Sequence, residues 1–130
     1  MRREYLGFTL YELLLTVALI AILASISVPS FSATLARAHQ ASELNSLFHA
    51  IHLARKESIR RRQVMTVCAS SDGQSCLDDR DWSSGWILFN NRDRDSPPQV
   101  DAGESVILSH TVDDSVRITA NRRAFTLRAT

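Results

Sequence analysis

A lone carboxylate stands at the head of the most apolar stretch of the chain. Glu12 follows Gly7-Phe8-Thr9-Leu10-Tyr11 and opens directly into the run Leu13 to Val28. Burying an ionisable side chain at membrane depth is expensive, so a carboxylate placed there marks a function. Two cysteines, Cys68 and Cys76, offer either a disulfide or thiolate metal ligands. Arginines gather at Arg60-Arg61-Arg62 and again at Arg117, Arg122, Arg123 and Arg128, where bidentate contact with phosphate is the available chemistry. A fourth group, Asn91-Arg92-Asp93-Arg94-Asp95 with Asp101-Ala102-Gly103-Glu104, carries oxygen ligands at alternating positions, a pattern that can suit calcium.

What these groups can do depends on the elements that carry them. From Phe8 to Val28 the chain is apolar apart from Glu12 and small hydroxyl residues. As an α-helix this segment is about 31 Å long, against a hydrocarbon core of ~30 Å. Arg2 and Arg3 bias positive charge to its N-terminal side, which orients that end to the cytoplasm and exports the rest to a compartment that permits disulfides. An ordinary secretory signal fits less well. Its small-residue cleavage sites, Ala24-Ser25-Ile26 and Ser25-Ile26-Ser27, are poor, and Glu12 would fall inside the apolar region. A plain single-span anchor leaves Gly7-Phe8 and Glu12 without a role.

Pro29 ends the apolar run. A proline inside a helix removes a hydrogen bond and crowds the preceding turn, so a kink or local opening is expected there. A helical period then resumes: Phe31, Leu35, Ala38, Ala41, Leu44, Phe48, Ile51 and Ala54 step by three or four and predict one buried face on an amphipathic helix over about residues 30–61. After Gln63 the period changes. Strands are predicted at Val64–Cys68, Trp86–Phe89, Ser105–Ser109, Val116–Thr119 and Arg123–Leu127, separated by Gly, Asn, Asp and Pro clusters. One long helix followed only by strands implies an α+β fold, the helix laid across a small antiparallel sheet. Cys68 and Cys76 fall at the end of the first strand. A disulfide there closes a loop of about nine residues and removes roughly 2–3 kcal/mol of chain entropy from the unfolded state. Metal binding, the alternative, has no C-x-x-C and no paired histidine at helical spacing to support it.

The chain has 130 residues and a formal charge of +1, so bulk electrostatics make no case for a nucleic-acid binder and any such case rests on local clusters. Arg55-Lys56-Glu57-Ser58-Ile59-Arg60-Arg61-Arg62 reads first as favourable charge at a helix C-terminus with a solvated face, and only second as a phosphate patch. In the acidic turn, Arg92 and Arg94 are interleaved, Ser96 stands where a calcium loop wants glycine, and Pro97-Pro98 follow. Asx-turn chemistry accounts for the same residues, so no metal is expected. No G-x-S-x-G elbow, phosphate loop or H-E-x-x-H motif is present, and no nucleophile has an evident base, which argues against an enzyme and names no cofactor. His39, His49, His52 and His110 lack partners at ligand spacing; His49 and His52 share a helix face and read as a surface pair.

Gly7-Phe8-Thr9-Leu10, with Glu12 and Leu13, resembles the processing site of type IV prepilins and type II secretion pseudopilins, Tyr11 standing where an aliphatic residue is more usual. Asp81-Trp82-Ser83-Ser84-Gly85-Trp86-Ile87-Leu88-Phe89 and the acidic turn after it are similar to the central block of the GspH/FimT type of minor pilins. The resemblance implies a type IV pilin fold and a leader of residues 1–7, which a prepilin peptidase removes by cutting after Gly7 on the cytoplasmic face before methylating the new amino group of Phe8. Residues 8–28 would then be a transmembrane and filament-core helix, and residues 29–130 a periplasmic domain on a single-pass inner-membrane protein. Glu12 would face the amino group of Phe8 on its own or a neighbouring subunit. The two charges attract strongly in low dielectric, and losing one leaves the other unpaired, so the pair would set the register of assembly. The implied partners are other pilin or pseudopilin subunits and an inner-membrane assembly platform. The implied role is a minor subunit of a type IV pilus or a type II secretion system, at or near the filament tip.

Trp82 and Trp86 read as packing anchors, with Gly85 permitting a tight backbone between them. The alternative role is a DNA-binding minor pilin for natural transformation, in which Arg60, Arg61 and Arg62 join Arg117, Arg122, Arg123 and Arg128 on one surface. Relatives of this type usually add β-structure after the strand equivalent to Arg123–Leu127, so a chain that stops at Thr130 is expected to leave a sheet edge open.

Overall fold

A computed structural model describes residues 7–129, with positions 28 and 29 described by backbone alone. The basic leader with Arg2 and Arg3 lies outside the described residues. The chain divides into two compact units, residues 1–38 and 39–130. The helix α1, Leu10–Arg61, begins in the first and ends in the second.

In the first unit, Thr9 caps α1: its Oγ1 accepts from the Glu12 backbone N–H at 3.3 Å, and its carbonyl accepts from Leu13 N–H. Thr-x-x-Glu is the capping-box spacing, so the motif that marks the apolar junction also starts the helix. The hydroxyls in the apolar run turn back onto the helix. Thr16 donates to the Leu13 carbonyl, Ser25 to Ile22 and Ser27 to Leu23, at 2.7–2.9 Å. Such bonds satisfy each O–H within the helix, as a non-aqueous surrounding requires. The helix also runs through position 29, so Pro29 does not end it as a separate element.

In the second unit the helix buries Ala54 and half-buries Ile51 of the predicted stripe, but the buried face is turned away from the rest of it. Ala50, Ala54 and Ser58 are fully buried, with Leu47 and Leu53 partly buried beside them, whereas Leu44 and Phe48 stay 47% and 60% exposed. Phe31 and Leu35, counted in the same stripe, belong to the first unit and are exposed there. Small side chains let the helix backbone approach the sheet closely, and that decides the face. A spacing rule weighs alanine and phenylalanine alike and so selects the bulkier neighbouring stripe. Arg62, at φ 53°, ends the helix in the left-handed conformation, and Gln63 N–H returns to the Ser58 carbonyl at 3.3 Å, the longer bond of a Schellman motif.

Four strands follow: β1 (Met65–Ala69), β2 (Trp86–Asn90), β3 (Val106–His110) and β4 (Ala124–Leu127). They form one antiparallel sheet in the order β3-β2-β1-β4. β1 and β2 are buried on both faces. Met65, Val67, Ala69, Trp86 and Leu88 join the helix residues Ala50 and Ala54 in one apolar cluster. Cys68, Ile87 and Phe89 form the other, covered by Cys76, Val100, Val106 and Ala124. The loops after β1 and β2 therefore roof the face that α1 leaves bare. The architecture is α+β, a long N-terminal helix on a four-stranded antiparallel sheet.

The strand predicted at Val116–Thr119 is not one. Val116 and Ile118 are buried, as a strand pattern suggests, but Thr119 makes only an isolated bridge with Asp81. Ile118 spends its backbone on Trp82 N–H and on the Ser83 hydroxyl, and Ala120 N–H bonds the Arg80 carbonyl. This segment packs against the 80–83 turn rather than extending the sheet.

Candidate functional site

The first candidate site is the N-terminal junction. Gly7 and Phe8 precede the first turn, Phe8 with 74% of its surface exposed, and Glu12 is exposed on that turn. Every residue described by its side chain from Leu10 to Ile26 is exposed except Thr16, which is half-buried. α1 is long and apolar enough to cross a membrane, by length and composition. A carboxylate at a helix N-terminus is favoured by the helix dipole, and Glu12 has no ion-pair partner among the described residues.

The second is built from arginines. Arg80, Arg94, Arg122, Arg123 and Arg128 line a groove of about 680 Å³ beside β4, together with Asp78, Asp95 and Pro97. Arg62, Arg92, Arg94 and Arg128 line an adjoining pocket of about 260 Å³. Arg94 and Arg128 belong to both, so the two run together. Arg123 is held by both oxygens of Asp78, at 2.8 and 2.9 Å. Arg62, Arg80, Arg94, Arg122 and Arg128 have no carboxylate partner among the described residues. Of the non-glycine residues described, only Arg62 and Arg94 have positive φ, at 53° and 64°, and both line the smaller pocket.

This placement divides the arginines that sequence reasoning grouped. Arg62, Arg122, Arg123 and Arg128 come together. Arg60 and Arg61 do not: both ion-pair with Glu57 on their own helix, and the bond from Arg60 is the main cause holding the Glu57 carboxyl below its ordinary range. Arg117 lies elsewhere and contributes to lowering the Asp81 carboxyl, an effect led by the Ser83 hydroxyl. Arg80, Arg92 and Arg94 complete the groove. Arg80 sits far from the other two in sequence, and Arg92 and Arg94 read there only as interruptions of an acidic turn.

Cys68 and Cys76 are joined in a disulfide with Cα atoms 5.6 Å apart. Between them Asp72 accepts from the backbone of Gln74 and Ser75 and from the hydroxyls of Ser70 and Ser75. These bonds, the Ser75 hydroxyl first, hold its carboxyl far below the usual range. Trp82 is fully buried, donates Nε1–H to the Arg122 carbonyl at 3.1 Å and tilts against Phe125. It thereby anchors the turn that carries Arg122 and Arg123. Trp86 is buried and stacked on His110, ring centres 4.4 Å apart. His110 has the partner that sequence spacing denies it: Glu43 of α1, at 2.7 Å. Separated by 67 residues, the pair leaves no local signal. His49 and His52 are exposed.

In the loop after β2, Asp93, Asp95 and Asp101 bring carboxylate oxygens within 4.8 Å of one another. The Asp101 carboxyl is pushed up, by desolvation first and then by the charges of Asp93, Asp95 and Glu104. Glu104 ties the loop ends, accepting from the backbone N–H of Arg92 and of Asp101.

No curated protein and no solved structure gives a significant match to this chain. Residues 43–129, from the sheet-facing part of α1 through β4, match the family model of the type II transport protein GspH, and the chain belongs to that family.

Proposed function

We propose that this chain is a minor pseudopilin: a structural subunit of a type II secretion filament, cut after Gly7, methylated on Phe8 and held in the inner membrane by α1 until it assembles. The observation that carries this reading is the exposed apolar segment from Leu10 to Ile26, headed by Glu12, on a chain whose folded unit belongs to the GspH family. Members of that family serve as structural subunits beside other pseudopilins. An apolar helix of membrane length with one carboxylate at its head suits both lodging in lipid and later packing among copies of the same helix. Deleting the gene in its host and scoring secreted protein, pili and DNA uptake side by side tests the assignment. We expect secreted enzymes to be retained in the periplasm while pili persist; normal secretion with lost pili would move the subunit to a pilus.

A second reading rests on the arginine groove. Seven arginines, Arg62, Arg80, Arg92, Arg94, Arg122, Arg123 and Arg128, share one connected surface, and two of them occupy backbone conformations disfavoured for any side chain. Guanidinium groups without carboxylate partners suit the phosphates of DNA. If DNA binds there, affinity falls steeply with added salt, and an Arg94→Ala/Arg128→Ala chain loses most of it. No binding by the full chain at low salt would remove this reading.

A further inference from the structure

Among the described residues β4 is paired on one side only. β1 lies along it in unbroken register from Met65↔Leu127 to Cys68↔Ala124, and the backbone of Ala124–Leu127 makes no hydrogen bond beyond β1. A strand paired on one side turns the N–H and C=O of every second residue outward, which makes its free edge a template for another strand. The opposite edge of the sheet is different. Between Leu88↔Leu108 and Phe89↔Val106 the register passes over Ile107, so β3 carries a bulge, a common guard against edge pairing. β4 has neither bulge nor proline, and what flanks it is positive charge, Arg122 and Arg123 before it and Arg128 after.

The arginine groove runs along this same strand. Ala124, Thr126 and Arg128 stand two apart, so they share one face of β4, and all three line the groove. Thr126 is exposed in the middle of the strand. Five arginines face two carboxylates in the groove, and neither carboxylate is idle. Asp78 holds Arg123, and Asp95 accepts from the Asn91 side chain and the Gln99 backbone N–H. Uncompensated guanidinium charge therefore lies beside an unpaired backbone edge. Phosphate oxygens accept hydrogen bonds but donate none, so a nucleic-acid backbone leaves the outward carbonyls of β4 unanswered. An extended polypeptide answers both the N–H and the C=O groups, and its alternate side chains fall together on one face. Charge then selects among polypeptides: basic strands are repelled and acidic ones admitted.

We propose that β4 takes an extended acidic segment of another protein by strand addition, carboxylates at every second position meeting Arg94, Arg122 and Arg128. Backbone bonds to the β4 edge supply affinity, and the guanidinium groups supply the choice of partner. The site competes with DNA for one groove and is independent of the filament role.

The test uses the full chain in detergent, its disulfide intact, and a short fluorescein-labelled peptide that alternates glutamate with threonine. Binding is read by fluorescence anisotropy and by amide hydrogen exchange. We expect saturable binding at least about tenfold tighter than that of the same peptide with lysine for glutamate. Exchange of the β4 amides should slow about tenfold or more when the acidic peptide is bound. Two N-methylated forms, one blocked at the glutamates and the other at the threonines, keep the charge and should differ. The form blocked on the pairing side should lose about tenfold or more in affinity and the other should not. Arg94→Ala/Arg128→Ala should weaken the acidic peptide at least about tenfold while exchange in β1 and β2 stays as in the parent chain, which separates a lost contact from a damaged fold. The proposal would be overturned by absent saturable binding, by equal affinity for the lysine peptide, or by equal tolerance of both methylation patterns. A single-stranded DNA of equal charge that bound as tightly and left β4 exchange unchanged would give the groove to nucleic acid and overturn it too.

Discussion

Arg62 and Arg94 hold left-handed backbone conformations that cost an ordinary L-residue on the order of 1 kcal/mol each, and glycine at either position would avoid that cost. Both side chains reach the same pocket, so the strain coincides with the place where the chain collects unpartnered guanidinium groups. Gly85 is the converse case. At φ 132°, it leaves no room for a side chain: a Cβ would stand 2.2 Å from the His110 carbonyl oxygen and 3.1 Å from Thr111 Cα. Its own carbonyl accepts from Ser70 N–H, which fixes it between β1 and β3. Gly85→Ala should therefore cost about 2–4 kcal/mol, both from the clash with backbone and from the disallowed φ. Chemical denaturation of the oxidised chain measures it, and a loss under about 0.5 kcal/mol, the range of a bland surface change, would contradict this account of the Trp82–Trp86 turn.

At the scale of elements, legibility in the sequence followed how local the determining physics is. The β-branched run at 64–68, the aromatic run at 86–89 and the helix end at Arg61 depend on neighbours in sequence, and each lies within a residue or so of an observed boundary. Val116–Thr119 carries the same strand pattern but joins neither edge of the sheet; the Ser83 hydroxyl and the Trp82 amide take its hydrogen bonds instead. The predicted stripe on α1 holds the buried Ala54 but not Ala50 and Ser58, because closeness of approach, set by these small residues, outweighs the bulk of Leu44 and Phe48. In the candidate sites the same division holds. The Gly7–Glu12 junction and the cysteine pair are short-range patterns. The groove gathers Arg62, Arg94 and Arg128 from three segments far apart in sequence, which a linear pattern does not carry.

On the proposed function, the whole molecule is a disulfide-bonded domain carried by a helix whose apolar run is headed by the carboxylate of Glu12. That reading would give three properties separate seats: lodging in the membrane in the apolar run, ordered assembly in Glu12, and contact with other molecules in the domain. Their independence is the central claim, and it makes Glu12 the residue whose loss should uncouple insertion from assembly. The direct measurement is to express the Glu12→Ala chain beside the parent in the host and compare their amounts in the inner membrane with their recovery in sheared or cross-linked filaments. The account predicts equal membrane levels, with filament recovery reduced at least about tenfold, as the loss of one partner of a desolvated charge pair implies. A Glu12→Ala chain that entered filaments as readily as the parent would contradict it.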